Sequence, residues 1–234
     1  MKIEIWSDVM CPFCYIGKRR FEVAMAQFGK GQDIEIEWKS FLLNPEMQTD
    51  PSKNIHQFLS EHKGISVEEA KSMNDQVAHM AANSGLKFDF DKAIPANSFN
   101  AHRFLHYTKI YGKQNEAEEL LFKAYFTEGK NIDDANTLTE MAVTLGLDTE
   151  ELAKDMSSDA FFQDVVMDVQ EAREIGVRGV PFFVFDRKYA VSGAQEIEVF
   201  TQTLEKSFEE WEAAAKPVKL DIIEGDSCGV DGNC

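Results

Sequence analysis

Short stretches of alternating apolar and polar residues flank a helical pattern at the start of the chain. Residues 2–6 alternate and predict a first strand, and residues 34–38 alternate strictly and predict a second. Between them, apolar residues recur at helical spacing from Pro12 to Phe28, and Gly29 follows as a helix stop. The start of the chain therefore predicts a β-α-β unit.

The pattern between about residue 54 and residue 175 is that of successive helices with caps and stops. Ser66 and Glu69 have the spacing of a capping box, in which each side chain bonds the other residue's backbone N–H. Further helices are predicted over residues 98–111, 115–127 and 134–145, after Asp148, and over residues 158–175. The stretch has no convincing strand pattern, so it predicts an all-helical insertion.

A strand pattern returns in the last quarter of the chain. Residues 180–185 favour a strand, residues 186–188 can turn the chain, and residues 189–192 can pair back as a hairpin. Residues 196–215 have the apolar spacing of a final helix. The order β-α-β, helices, β-β-α predicts an α/β protein, a thioredoxin fold with an inserted all-helical domain.

This order divides the chain into three parts. Residues 1–45 and 176–214 are predicted to form one discontinuous thioredoxin-like domain, with residues 46–175 as a helical insertion domain between its halves. Residues 215–234 are predicted to be a flexible acidic C-terminal tail that carries a cysteine pair.

The net charge of −17 restricts the partners of the chain. Such a surface repels phosphate backbones and anionic membranes, so neither nucleic acid nor a membrane is an expected partner. The simplest interpretation of this acidity is that it keeps the protein soluble. The alternative is that it favours basic or unfolded client proteins. The N-terminus lacks an apolar segment of the secretory type, and no stretch is apolar enough to span a bilayer. The cytoplasm is therefore the expected location.

The four cysteines form two close pairs, at positions 11 and 14 and at positions 228 and 234. Cys11 precedes the first predicted helix, where unpaired backbone N–H groups and the helix dipole stabilise a thiolate. Cys14 lies one turn further on, within reach of a disulfide with Cys11. Pro12 suits the first helical turn, where its missing N–H costs nothing. We therefore expect Cys11 to be the exposed attacking thiol and Cys14 the more buried resolving thiol.

A Cys-x-x-Cys motif also occurs as half of a zinc site, which leaves alternatives to redox chemistry. Zinc motifs usually have a second cysteine pair nearby and often a glycine close to the first. Here Tyr15 follows Cys14, and the other pair lies at the far end of the chain. Redox chemistry is therefore the favoured interpretation, with a zinc site or inert thiols as the alternatives.

A second motif, Gly179-Val180-Pro181, opens a predicted strand, where proline removes a ladder hydrogen bond. In the thioredoxin arrangement a cis-proline lies here, opposite the cysteine pair. The backbone of the preceding residue is then free to pair with an extended substrate. We therefore expect Val180 and Pro181 to present the substrate, and a trans-proline at a strand start is the alternative.

Three motifs together resemble the DsbA family, specifically its FrnE-like cytosolic branch. They are Ser7-Asp8-Val9-Met10-Cys11-Pro12-Phe13-Cys14, Asn97-Ser98-Phe99-Asn100-Ala101-His102-Arg103 and Gly179-Val180-Pro181, and the resemblance spans about residues 1–212. It implies a thioredoxin fold whose inserted helical domain covers the active site, and dithiol–disulfide exchange with protein or peptide substrates. Pro12 and Phe13 are then expected to contact the substrate. No organic cofactor or metal is needed, and glutathione or a thioredoxin system is the expected redox partner.

The sequence departs in two ways from the strongly oxidising periplasmic members of that family. The residues between the cysteines are Pro-Phe rather than Pro-His, and no export signal precedes them. The cytosolic glutathione pool holds very oxidising pairs reduced. Isomerase or reductase activity is therefore as consistent with the sequence as net oxidation.

Two other classes of protein are alternatives. The kappa-class glutathione transferases and 2-hydroxychromene-2-carboxylate isomerases share this fold and a similar helix motif, but they characteristically carry serine at the position of Cys11 and bind glutathione. The presence of both Cys11 and Cys14 favours the oxidoreductase. A non-catalytic zinc-binding or chaperone-like module is the second alternative.

The C-terminal cysteines, Cys228 and Cys234, are separated by a loop that contains glycine and can close a disulfide. The tail is long enough to reach across a small domain. We expect this pair to exchange with Cys11 and Cys14 as an auxiliary redox centre. An independent redox or metal clip and a bystander tail are the alternatives.

Several polar residues are further candidates for the site. His102 and His106 are four residues apart, as metal ligands sometimes are, but no acidic or cysteine partner stands at a helpful spacing, so no metal site is predicted. Asn97 and His102 are expected to line the groove between the domains. Glu37 and Lys39 of the second strand are candidates for tuning Cys14, and the sequence assigns neither a role.

Overall fold

The fold is built on a four-stranded mixed sheet. A computed structural model describes residues 1–215 of the chain. β1 pairs parallel with β2 and antiparallel with β3, and β3 pairs antiparallel with β4. The predicted β-α-β and β-β-α units are therefore confirmed, and they share one sheet. The strands, in the spatial order β2-β1-β3-β4, are β1 (Lys2–Ser7), β2 (Glu35–Ser40), β3 (Phe182–Phe185) and β4 (Tyr189–Ser192).

Helices pack on this sheet and fill the sequence between β2 and β3. A π-helical segment, Ala124–Glu128, continues the fifth of them. The predicted α/β thioredoxin fold with inserted helices is confirmed. Within residues 1–215, no helix is both long and apolar enough to cross a membrane. The helices of this part of the chain are α1 (Pro12–Phe28), α2 (Ile55–Lys63), α3 (Val67–Asn83), α4 (Phe99–Ile110), α5 (Gln114–Lys123), α6 (Ala135–Leu145), α7 (Thr149–Met156), α8 (Phe162–Glu174) and α9 (Ile197–Ala215).

Three helices differ from the sequence prediction. The sequence pattern does not predict α2 as a separate helix, although Asn54 and Gln57 cap its start reciprocally. The helix predicted over residues 115–127 is α-helical only to Lys123 and then π-helical. α8 begins at Phe162 rather than near residue 158, because Phe161 has a left-handed backbone conformation with a φ of 60°.

One face of the sheet packs against α1 and α9. The side chains of Ile3, Ile5 and Phe183 belong to this apolar layer together with Phe21 of α1 and Phe200 of α9. The rings of Phe183 and Phe200 meet edge to face, with their centroids 4.7 Å apart. Because successive strand residues point to opposite faces, the alternation in the sequence specifies this layer. The layer fixes α1, and with it the cysteine motif, on the sheet.

The opposite face of the sheet carries charged side chains that pair with α4 and α8. Lys39 Nζ and the Ser40 backbone N–H both donate to the Asp168 carboxylate of α8 at 2.9 Å. His106 Nε2 of α4 lies 3.0 Å from the same carboxylate. Burial by itself raises the pKa of Asp168, but His106, Ser40 and Lys39 hold it below its usual value. Asp168 is therefore a buried anion that joins the sheet to two helices.

The helices between β2 and β3 also contact the beginning of α1. The Tyr15 ring stacks on Phe122 of α5 with centroids 4.8 Å apart, and its hydroxyl donates to Glu119 Oε1 at 2.6 Å. Lys18, only 2% exposed, donates to Glu119 Oε2 at 2.7 Å. The buried apolar core of these helices is continuous with Cys11 and Cys14. The sheet and the inserted helices therefore meet at the cysteine motif.

Candidate active site

The cysteine pair lies at the beginning of α1. Cys11 is the residue before the helix, Pro12 follows in its first turn, and the Cys14 N–H donates to the Cys11 carbonyl at 3.0 Å. Both are free thiols, and Cys14, at 0% exposure, is the more buried, as predicted. The expectation that Cys11 is exposed is wrong. Only 4% of its surface is exposed, because it lies in the core that the helices form, against which Val180 also packs.

Asp8 holds the loop that precedes the cysteines. Its backbone carbonyl accepts from the Cys11 N–H at 2.9 Å. Its carboxylate accepts from the Met10 N–H at 3.1 Å and from the Leu43 N–H at 2.8 Å, and the side chain is fully buried. Asp8 therefore ties the active-site loop to the segment after β2. The sequence reasoning missed this role, although an Asp that bonds a backbone N–H two residues later is a common turn device.

Pro181 lies opposite the beginning of α1, as the sequence predicts. The Val180–Pro181 peptide bond is cis. The Cys11 Sγ lies 3.5 Å from the Val180 carbonyl oxygen, so the thiol and this backbone group are neighbours. Gly17 of α1 permits the close approach, because a Cβ there would lie 2.9 Å from Pro181 Cγ. The structure thus brings together Cys11, Val180 and Pro181.

A buried carboxyl group lies beneath the pair. The Ser7 hydroxyl donates to Glu118 Oε1 of α5 at 2.8 Å, and Ser7 acts to lower the pKa of the Cys14 thiol. Complete burial raises the pKa of Glu118 to about 7, although His102 and Ser7 act in the opposite direction. Burial also raises the pKa of the Cys14 thiol, and the neighbouring Cys11 raises it further. Ser7 therefore influences both the buried carboxyl group and the Cys14 thiol.

His102 lies in the same buried region, so the expectation that it lines a groove is wrong. The side chain is 1% exposed, and its Nε2 lies 3.6 Å from Asp8 Oδ1. Both ring nitrogens of His102 and Glu118 Oε2 have no hydrogen-bond partner among the described residues. His102 lies inside because its face of α4 is turned towards Asp8 of the cysteine loop. Among residues 1–215, no group of three or more His, Cys, Asp or Glu side chains is arranged to hold a metal ion.

Asn97 lies away from the cysteines, at a cavity between the segment after β2 and the helices α4 and α8. Its side-chain amide donates to the Met47 carbonyl at 2.7 Å, and its oxygen accepts from the Phe99 N–H at 2.8 Å. It lines a cavity with Leu42 and Phe162, and none of the active-site loop residues reaches that cavity. Asn97 therefore fixes the segment before α2 and the start of α4.

Pro12 and Phe13 line a different cavity, of about 470 Å³, beside the cysteine pair. Phe13 is 39% exposed, and Met10 of the same loop also lines the cavity. Most of the other lining residues are apolar and come from α2, α3 and the π-helical segment. The cavity thus gives the predicted substrate-contacting residues a common surface.

Two groups of candidates do not meet at this site. Glu37 pairs with Lys2 and Lys109, and Lys39 with Asp168, so neither charged residue of β2 is left to act on Cys14. Cys228 and Cys234 lie outside the described residues. The sequence reasoning missed Ser7 and Glu118. The available signal was the position of Glu118 on a helix face that also carries Leu121 and Phe122.

Comparisons with known proteins agree with this arrangement. A model of the DSBA-like thioredoxin domain matches residues 2–205 of the chain. The crystal structure of a probable DsbA oxidoreductase from Streptomyces coelicolor is similar at 37% identity and a TM-score of 0.84, covering 99% of this chain and 97% of that chain. The uncharacterized protein YwbO from Bacillus subtilis is 29% identical over 211 residues, covering 86% of this chain and 94% of YwbO.

A more distant likeness concerns the fold alone. The cytosolic disulfide reductase DsbM from Pseudomonas aeruginosa is similar at 14% identity and a TM-score of 0.64, covering 90% of this chain and 100% of DsbM. The same protein with GSH is similar at 13% identity and a TM-score of 0.63, covering 89% of this chain and 100% of DsbM. At such identities the arrangement of helices and strands is shared, and the roles of individual residues have to be argued from this chain.

Proposed function

The chain belongs to the DSBA-like thioredoxin domain family, and on that basis we propose that it exchanges disulfides with protein or peptide substrates through Cys11 and Cys14. One observation carries this proposal: Cys11 Sγ lies 3.5 Å from the Val180 carbonyl oxygen, beside the cis-bonded Pro181, and Cys14 follows in the first turn of α1. Nearby, Ser7 bonds the buried carboxyl group of Glu118, whose pKa is raised to about 7. The family and this geometry together support a thiol–disulfide oxidoreductase.

The first step is attack by the Cys11 thiolate on one sulfur of a substrate disulfide. The substrate S–S bond breaks, a mixed disulfide forms between Cys11 and the substrate, and the second substrate sulfur leaves as a thiolate. Cys11 lies at the start of α1, where backbone N–H groups and the helix dipole stabilise its charge. Val180 is placed to pair its backbone with the substrate chain. Pro12 and Phe13 offer contacts on the neighbouring cavity wall.

The second step resolves the mixed disulfide. Cys14 passes its proton to the Ser7 oxygen while Ser7 passes its own proton to Glu118, and the Cys14 thiolate then attacks Cys11 Sγ. A Cys11–Cys14 disulfide forms, and the substrate sulfur leaves as a thiolate. With a pKa of about 7, Glu118 can accept this proton near neutral pH and return it in the reverse reaction. The reverse sequence oxidises a substrate dithiol.

The redox partners follow from the same chemistry. The reaction needs no organic cofactor or metal, and glutathione or a thioredoxin system restores the active form. The structure of DsbM with GSH supports glutathione as a compatible partner for this fold. We place the protein in the cytoplasm and in the FrnE-like branch, acting as a reductase or isomerase as readily as an oxidase.

We further propose that Cys228 and Cys234 act as an auxiliary pair. They exchange disulfides with Cys11 and Cys14, so a variant in which both are serine keeps the first disulfide but turns over more slowly. The division into a thioredoxin-like domain of residues 1–45 and 176–214 and a helical domain of residues 46–175 is part of the same proposal. Limited proteolysis that releases the helical part intact tests this division.

The proposed activity is tested with a peptide disulfide and three proteins: the wild type, C11S and C14S. The wild type is expected to turn over, C11S to be inactive, and C14S to accumulate a mixed disulfide that mass spectrometry detects on Cys11. Equal turnover by wild type and C11S contradicts the proposal. Binding of glutathione without any disulfide turnover favours a glutathione transferase-like enzyme instead.

A further inference from the structure

Tyr125 differs from the other four tyrosines of the chain. It is 2% exposed, yet its hydroxyl makes no hydrogen bond with any described residue. Buried tyrosine hydroxyls usually find a partner, so this one requires an explanation. The other four donate as expected, Tyr15 to Glu119, Tyr107 to the Asp148 carbonyl, Tyr111 to Glu151 and Tyr189 to Glu210.

The Tyr125 hydroxyl is unpaired but not sealed inside the protein. Within residues 1–215, the enclosed side-chain atoms that lack a partner belong to His102 and Glu118. Tyr125 itself lines the cavity beside the cysteine pair, which explains how a buried ring keeps an accessible oxygen. Burial and the negative charge of Asp8 raise the pKa of Tyr125, so the hydroxyl keeps its proton. Tyr125 therefore lines the cavity with a hydroxyl donor that has no partner among the described residues.

The π-helical segment holds Tyr125 in this position. Such segments are rare and occur frequently at functional sites. Two contacts with the loop before α4 anchor it: the Asp89 N–H donates to the Phe126 carbonyl, and the Thr127 hydroxyl donates to the Lys87 carbonyl, both at 2.7 Å. The donor is thus held in place before any ligand arrives, which reduces the entropy cost of binding.

The surroundings of Tyr125 indicate what its partner is. The cavity is continuous with the active-site loop through Met10, Pro12 and Phe13, so a chain attached to Cys11 has its neighbouring residues there. Met73 and Met80 of α3, 41% and 38% exposed, line it from the other side. Methionine side chains adapt to apolar groups of varied shape. Lys63 is the one charged residue among those that line the cavity, which suits glutathione, with its two carboxylates, less well than an apolar peptide.

We propose that Tyr125 is a substrate-binding residue whose hydroxyl donates a hydrogen bond to a backbone carbonyl of the substrate. The substrate segment is an extended apolar stretch next to the reacting cysteine, and it lies in the cavity beside Pro12 and Phe13. This inference rests on the proposed function and adds a preference to it. Disulfides flanked by large apolar residues are preferred over glutathione disulfide.

The test compares Y125F with the wild type on two substrates. One is a peptide disulfide with leucine and phenylalanine beside the cysteine, and the other is glutathione disulfide. A neutral hydrogen bond corresponds to a factor of about 2 to 10, so kcat/KM for the peptide is expected to fall by that factor and the value for glutathione disulfide to stay unchanged. The melting temperature of Y125F is expected to stay at or above that of the wild type, since no internal hydrogen bond is lost.

The matched control is Y189F, which removes a hydroxyl bonded to Glu210 away from the cavity. It is expected to leave both kcat/KM values unchanged. Unchanged peptide kinetics in Y125F, or an equal loss with both disulfides, overturns the assignment of Tyr125 to the substrate.

A binding measurement separates this inference from the proposed function. A fluorescent version of the peptide with serine in place of cysteine is titrated with wild type and Y125F, so no exchange chemistry is involved. Weaker binding to Y125F by a factor of about 2 to 10 supports the inference even if no disulfide turnover is found. Equal binding, or no binding to the wild type, overturns it even if turnover is normal.

Discussion

The Ser7 hydroxyl donates a 2.8 Å hydrogen bond to Glu118 Oε1, which joins the end of β1 to α5 directly beneath the cysteine pair. Ser7 belongs to the strand that leads into the motif, whereas Glu118 belongs to the inserted helices. In the proposed mechanism, the proton acceptor for Cys14 thus comes from the inserted helices. The proposal therefore gives these helices a part in proton transfer at the site.

Replacing Glu118 with glutamine is expected to slow resolution of the mixed disulfide. E118Q keeps the size of the side chain but cannot accept a proton, and a positioned general base contributes about 100-fold or more to such a step. We expect resolution at pH 7.5 to slow by about 100-fold, measured by rapid quenching after a substrate has been attached to Cys11. In the wild type the rate should rise with pH through about 7, the pKa of Glu118, and in E118Q this rise should disappear.

The matched control is E119Q, the same substitution at the next residue. Glu119 bonds Tyr15 and Lys18 on a different side of α5. Resolution in E119Q should keep the wild-type rate and pH profile. Equal rates for E118Q and the wild type would remove Glu118 from the mechanism.

The raised pKa of Glu118 also predicts how stability depends on pH. Between its ordinary value of 4.5 and about 7, folded Glu118 keeps a proton that the unfolded chain has released. Stability must therefore fall as pH rises through this window and level off above it. This difference in pKa corresponds to about 3 kcal/mol of stability. Urea unfolding should show that the free energy of unfolding of the wild type falls by this amount between pH 4.5 and pH 7.5, relative to that of E118Q. An equal change in both proteins would contradict the prediction.

Asp8 is expected to stabilise the active-site loop. D8A removes the fully buried acceptor of the Met10 and Leu43 N–H groups. Losing these two hydrogen bonds costs about 1–3 kcal/mol, and chemical denaturation measures this loss. D33A is the control, because Asp33 is exposed and its carboxylate contacts only Gln32 among the described residues. A D8A protein as stable as D33A would show that the Asp8 carboxylate does not stabilise the active-site loop.

Gly17 is expected to tolerate no side chain. In G17A the new Cβ would lie 2.9 Å from Pro181 Cγ, so either the proline or α1 has to shift. Overpacking of this kind costs about 1–3 kcal/mol, and the displaced Pro181 should also lower kcat/KM for a peptide disulfide. G31A is the control, since its Cβ would meet only the flexible end of Met25 at 3.6 Å. Wild-type activity and stability in G17A would show that the close approach is unimportant.

Local signals in the sequence were enough to predict the beginning of the fold and the reacting atoms. Alternation specifies β1 and β2, and Gly29, with a left-handed φ of 73°, ends α1 where the pattern does. Proline at the head of β3 predicted the position opposite the cysteines because the cysteine motif and the order of elements together indicated the thioredoxin arrangement. The two strands and the end of α1 are predictable because each depends on residues that are close together in the sequence.

The rest of the site depends on tertiary packing and was not predictable in the same way. Glu116, Glu118 and Glu119 look alike in the sequence of α5, and only the contact with β1 buries Glu118. The resemblance of its motif to the family predicts His102 at a groove, but α4 turns the side chain towards Asp8. Tyr125 reaches the cavity through a π-helical segment, for which the sequence has no recognisable signal.

The central claim is that Cys11 and Cys14 form a reversible two-electron redox pair. The most direct measurement is an equilibrium titration with reduced and oxidised glutathione, in which the Cys11–Cys14 disulfide is counted by mass spectrometry of acid-quenched protein. It is performed on a C228S/C234S variant, so that the counted disulfide belongs to this pair. We predict a single transition that follows the square of the reduced glutathione concentration divided by the oxidised concentration. If no Cys11–Cys14 disulfide forms at any ratio, the pair is not redox-active and the proposed function is wrong.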